Sequence, residues 1–219
     1  MDDIGFDIPP ECDAPVGSYT NYAAGDPLPA TVSGYDYPGK GSVKVTVLHP
    51  GRYNQFPPPK DSPALKLNDT MLMEPGTYCV SDVIRWNQPT FVLVGHDVTI
   101  FVRSGYDFQF SGGIVDIDAP DTGPTAGFLI VVEPDYGDPE FSENPEACLI
   151  NGNADNDFTG TIFAPYCECT LDGGGVTFGL NAQLLCYTID IKGGGTVNLT
   201  YNPDENGVKI DPPKTGVTK

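Results

Sequence analysis

The chain has 219 residues, a formal net charge of −19 and a pI near 4.1. That charge repels nucleic acid and anionic lipid and attracts divalent cations or basic partners. No apolar run reaches the 18 residues that a membrane span needs, and 26 Gly with 22 Pro leave no room for long helices.

Residues 1–42 hold no sustained strand pattern and are rich in Pro, Gly, Asp and Tyr. They read as an extended arm or linker, with Tyr19, Tyr22, Tyr35 and Tyr37 as docking groups and Cys12 as a tie to the body. The opening Met1-Asp2-Asp3-Ile4 has neither the basic nor the apolar region of an export leader, so the means of export is expected to lie elsewhere.

From Val43 the texture changes. Residues 43–47 alternate as a half-buried strand does, and 98–102 and 128–132 are continuously apolar. Residues 63–73 suggest one short helical turn. Leu185, Tyr187, Ile189 and Ile191 fall on one face of a later strand, as do Val197, Leu199 and Tyr201. Residues 204–219 read as a tail.

The chain also repeats itself. Leu48-His49-Pro50-Gly51-Arg52-Tyr53 returns as Met73-Glu74-Pro75-Gly76-Thr77-Tyr78 after 25 residues, Ile117-Asp118-Ala119-Pro120 as Ile162-Phe163-Ala164-Pro165 after 45, and Gly173-Gly174-Gly175 as Gly193-Gly194-Gly195 after 20. Intervals of about 20–25 suit one coil of a solenoid. The fold class is therefore an all-β parallel β-helix (a β-solenoid) over 43–203 behind the arm, with a β-sandwich or jelly roll as the alternative.

Six cysteines, Cys12, Cys79, Cys148, Cys167, Cys169 and Cys186, without a Cys-x-x-Cys pair and with His49 and His96 as the only histidines, favour disulfides over zinc. Cys148, Cys167 and Cys186 lie 19 apart and would stack on adjacent coils about 4.8 Å apart. One connectivity is Cys148–Cys167, Cys169–Cys186 and Cys12–Cys79. The parity of Cys186, opposite Leu185 and Tyr187, argues against one clean column.

Several of these strings resemble one family: Leu-x-Pro-Gly-x-Tyr, 98–102, Gly160-Thr161-Ile162-Phe163-Ala164-Pro165 and 179–185. They are similar to the Gly-rich β-solenoid part of TadG-like exported bacterial proteins associated with the tight-adherence (Flp) pilus. The resemblance covers roughly residues 45–203. It implies an exported, non-enzymatic, cell-surface or pilus-associated protein, and it carries over no catalytic residue. The membrane-anchoring helix with which that family usually begins has no counterpart in this sequence.

No nucleophile elbow or phosphate loop occurs. Asp116 and Asp118, two apart and so on one face, are the residues that a carbohydrate-active alternative would use, with Asp121 nearby. His49 and His96 both read as turn residues. Calcium is the one cofactor suggested: Asn153, Asp155 and Asp157 alternate oxygen donors in one loop, and Asp135, Asp138 and Glu140 do so in another, without the spacing of an EF-hand. The sequence thus predicts a secreted or cell-surface structural protein that partners with itself, as a filament subunit, or with other surface or pilus proteins; a carbohydrate-binding or carbohydrate-active β-helix is the alternative.

Overall fold

The structure, a computed structural model, describes residues 9–13, 17–58, 68–133, 146–151, 156–173, 177–194 and 196–202. It is a three-sided parallel β-solenoid of about six turns. The first side stacks β2 (Val45–Leu48), β4 (Thr70–Met73), β7 (Val92–Gly95) and β10 (Ile114–Asp118). The second stacks β3 (Gly51–Tyr53), β5 (Gly76–Val80), β8 (Val98–Val102) and β11 (Phe128–Val132). The third begins one coil later, with β6 (Ile84–Trp86), β9 (Phe108–Phe110) and β12 (Glu146–Asn151). Two long strands, β13 (Asn156–Asp172) and β14 (Thr177–Lys192), each wrap all three sides, and β15 (Thr196–Leu199) starts another coil on the first side only. The parallel pairing between successive coils excludes a sandwich or jelly roll.

Each side alternates. On the third, Trp86, Phe110, Ile150 and Leu171 are consecutive rungs of one inward row, all buried. The other sides send Met73, Ile117 and Phe158, and Tyr78, Ile100 and Ile162, into the same core. Burial of these large side chains supplies most of the driving force, at roughly 25 cal/mol per Å² of apolar surface. The outward row of the first side runs Val47, Leu72, Val94, Asp116, Asp157 in register. It is apolar for three coils and acidic for the next two.

That change explains where the N-terminal arm lies. Val32, Tyr35 and Tyr37 are buried on Val45, Val47, Leu72, Val92 and Val94. Ahead of them β1 (Tyr19–Tyr22) pairs antiparallel with β2, from Tyr19 opposite Leu48 to Tyr22 opposite Val45, and Gly17 donates its N–H to the Arg52 carbonyl of β3. The arm therefore closes the first coil. Where described, the arm lies against the body: Tyr35 and Tyr37 cover the body's own apolar row, which would otherwise face water.

Three expectations are corrected. Thr70–Met73 is a fully buried strand, not part of a helical turn; 63–67 lie outside the described residues, as does the 204–219 tail. Ile117 and Ile162 do not stack, because Ile117 is on the first side opposite Phe158 while Ile162 is on the second opposite Ile130. Leu185 and Ile189 do not share a face: Leu185 packs with the outward cluster of Phe101 and Phe163, whereas Ile189 continues the inward row of Cys169. Alternation restarts at each corner, and β13 carries extra residues there between Ala164 and Glu168. The cysteines form no single column, as the parity of Cys186 suggests: Cys148 stands opposite Cys169, 21 residues on, and Cys186 opposite Ala164.

Candidate functional site

The repeated Leu-x-Pro-Gly-x-Tyr string forms the corner between the first two sides. Gly51 and Gly76 adopt φ of 143° and 138° there, a turn that a side chain strains against. Tyr53 donates its hydroxyl to the carbonyl of His49, and Tyr78 donates to that of Glu74, each four residues back. Tyr78 also reaches the Leu48 carbonyl of the coil below, at 2.9 Å. The two rings stack 5.8 Å apart, and burial pushes both phenols well above their usual range.

The register Leu48, Met73, Gly95, Ile117 places the next residue of each coil, His49, Glu74, His96 and Asp118, in one ladder down this corner. They pair in twos. His49 Nδ1 lies 2.7 Å from Glu74 Oε2, and its Nε2 lies 3.0 Å from the Thr20 hydroxyl of the arm. Thr31, also of the arm, donates to Glu74 Oε1 at 2.6 Å. His96 Nδ1 pairs with Asp118 Oδ2, while Asp118 Oδ1 accepts the Asp97 N–H. The Tyr35 ring meets the His96 ring edge-on at 4.6 Å, and its hydroxyl donates to the Met73 carbonyl. Thr20, Thr31 and Tyr35 thus hook the arm to the ladder rung by rung.

The electrostatics follow from these contacts. The Asp118 hydrogen bond raises the His96 imidazole against the opposing effect of burial, helped by the charges of Asp118, Asp116 and Asp97. Burial alone would raise the Glu74 carboxyl, but hydrogen bonds from Thr31 and His49 and the His49 charge outweigh it and hold Glu74 low. Asp116 is raised, first by burial and then by Asp157 and Asp118, against the pull of His96. The histidines are more than turn residues. What the sequence did show was their offset: His49 to Glu74 is 25 residues and His96 to Asp118 is 22, one coil each.

Of the calcium candidates, Asp157 is exposed on β13 opposite Asp116, and Asp135, Asp138, Glu140, Asn153 and Asp155 lie outside the described residues. Among the described residues no group of three or more His, Cys, Asp or Glu is arranged to hold a metal. The arm tyrosines Tyr19 and Tyr22 are half-buried on β1. All six cysteines are paired: Cys12–Cys79 ties a 3₁₀ turn of the arm (Pro10–Asp13) to β5, Cys148–Cys167 joins β12 to β13, and Cys169–Cys186 joins β13 to β14. Such pairing fits an oxidising environment. No described helix is long and apolar enough to cross a membrane.

The two ends of the solenoid differ. Arm residues close the N-terminal coil. At the other end the inward rows run out into solvent: Ile191, the next rung after Leu171, is 58% exposed, Ile189 after Cys169 is 47% exposed, and Leu199 after Leu180 is 49% exposed. Tyr187 and Tyr201 are exposed beside them. These positions continue the core pattern, and among the described residues no further coil covers them. Comparisons with protein-family models, with curated proteins and with solved structures return no match.

Proposed function

We propose that the protein is a non-enzymatic structural module of the cell exterior that self-associates through its open C-terminal coil. The observation that carries this reading is the run of core-type side chains, Ile189, Ile191 and Leu199, left exposed at one end, where among the described residues no later strand is stacked on the second and third sides of β14. At the opposite end β1 is short, and its Thr20 and Asn21 are exposed and polar, which blunts that edge. Two open ends meeting give a closed pair, whereas a head-to-tail filament needs the closed end as well. The resemblance to TadG-like pilus-associated proteins and the three disulfides support placement outside the cell.

Acid–base catalysis by Asp116 and Asp118 is less well supported. Both Asp118 oxygens already accept hydrogen bonds, from His96 and from the Asp97 amide.

Light scattering over a concentration series tests the proposal. The native chain is expected to dimerise, and Ile189→Asp with Ile191→Asp is expected to leave a folded monomer. A native chain that stays monomeric throughout, or a double variant that associates like the native chain, refutes it.

A further inference from the structure

The third side of the solenoid starts a coil late, and among the described residues the first coil reaches it through a single bridge from Phe56 to Ile84. The Arg85 N–H donates to the Phe56 carbonyl there, at 3.1 Å. Among the described residues no strand pairs with β6 beyond that bridge, and the edge of β6 borders a cleft of about 580 Å³ between residues 55–58 and the turn at 87–91. That size falls within the usual range of small-molecule sites.

The lining has two characters. Its apolar part is Phe56, Pro57, Pro58, Val83 and Phe91. Its polar part is three primary amides, Gln55, Asn87 and Gln88, with Asp82 and Arg85. The three amide residues and Arg85 are exposed at the mouth, whereas Phe56 and Phe91 are buried. Gln88 donates to the Asn87 amide oxygen at 3.1 Å, so these two side chains sit side by side. An amide offers a donor and an acceptor in one plane, which matches neighbouring hydroxyls of a sugar ring, while the C–H face of the ring suits the Pro and Phe surface. Arg85, the one cation of the described lining, is already engaged in an ion pair with Asp107 at 3.0 Å. With Asp82 in the lining and −19 on the whole chain, an anionic ligand is disfavoured.

We infer that this cleft binds a neutral saccharide, in a site remote from the corner ladder and independent of the open end. Sugar recognition would tie the module to glycan at the cell exterior, and it needs no catalytic group.

Nuclear magnetic resonance titration of the native chain with maltotriose, cellotriose and tri-N-acetylchitotriose tests the inference, with trigalacturonate as the anionic control. At least one neutral trisaccharide is expected to bind in the millimolar range or tighter, with shifts centred on Gln55, Asn87 and Gln88. Asn87→Ala with Gln88→Ala should weaken that binding about tenfold, through loss of the amide hydrogen bonds, and leave the melting temperature unchanged. The inference is overturned if none of the three neutral sugars binds, if the double variant binds as well as the native chain, or if trigalacturonate binds more tightly than all of them. Dimerisation can be measured on the same samples, so failure here leaves the end-to-end proposal standing.

Discussion

At the scale of single residues, the corner ladder makes stability depend on pH in a definable way. The His96 imidazole is held above its ordinary value of 6.5, so its contribution is full below that value and is lost as pH rises through the higher folded one. Glu74, held below its ordinary 4.5, contributes above that value and loses its contribution as pH falls through the lower folded one. Asp116, raised from 3.8 chiefly by burial, favours the fold in acid and opposes it once ionised. These signs place maximum stability in mild acid. Thermal unfolding across pH should show a decline on the alkaline side, and His96→Gln should flatten it; an undiminished decline in that variant would show that His96 is not its source. Tyr78→Phe keeps the ring but removes the hydroxyl that reaches the carbonyls of Glu74 and Leu48, of which Leu48 still accepts the Glu74 N–H. Denaturant titration should show a loss of about 1–3 kcal/mol, and no loss would mean that the hydroxyl does not secure the corner.

At the scale of elements, the coil corners and the disulfides decide how well the stack holds. A Cβ on Gly76 would lie 2.6 Å from the Pro50 ring, at a φ that favours glycine, so Gly76→Ala should cost more than about 1 kcal/mol in urea unfolding. A neutral substitution would mean that the corner relaxes freely. Cys12–Cys79 spans 67 residues and Cys169–Cys186 spans 17. By loop-closure entropy, Cys12→Ser should cost about 4 kcal/mol and Cys169→Ser about 3; the reverse order would show that strain or residual structure dominates. The corners were legible in the sequence because Pro-Gly-x-Tyr recurs at the coil interval and its glycines and tyrosines do the same work in both copies. The 45-residue Ile-x-Ala-Pro recurrence misled, since similar strings occupy different sides. Strand parity failed past Cys186 because a corner restarts the alternation, which periodicity within one strand does not register.

At the scale of the whole molecule, the arm and the open end are two answers to one difficulty: a solenoid exposes an unpaired edge and an unfinished core at each terminus. The N-terminal answer is the arm. β1 pairs with β2, and Val32, Tyr35 and Tyr37 cover an outward row that turns acidic, at Asp116, in the next coil. The tyrosines of the arm were visible in the sequence as docking groups, but not their target, because the row they cover is assembled from strands more than 20 residues apart. The C-terminal end was hidden for the same reason. Ile189 and Ile191 look like ordinary core residues until the register shows that no described coil follows on their side. Electron microscopy of the native protein tests the central claim most directly. Rods twice the length of one solenoid, joined at their C-terminal ends and reduced to single length by Ile189→Asp with Ile191→Asp, are the predicted result. Single-length rods at every concentration, or long head-to-tail filaments, would contradict it.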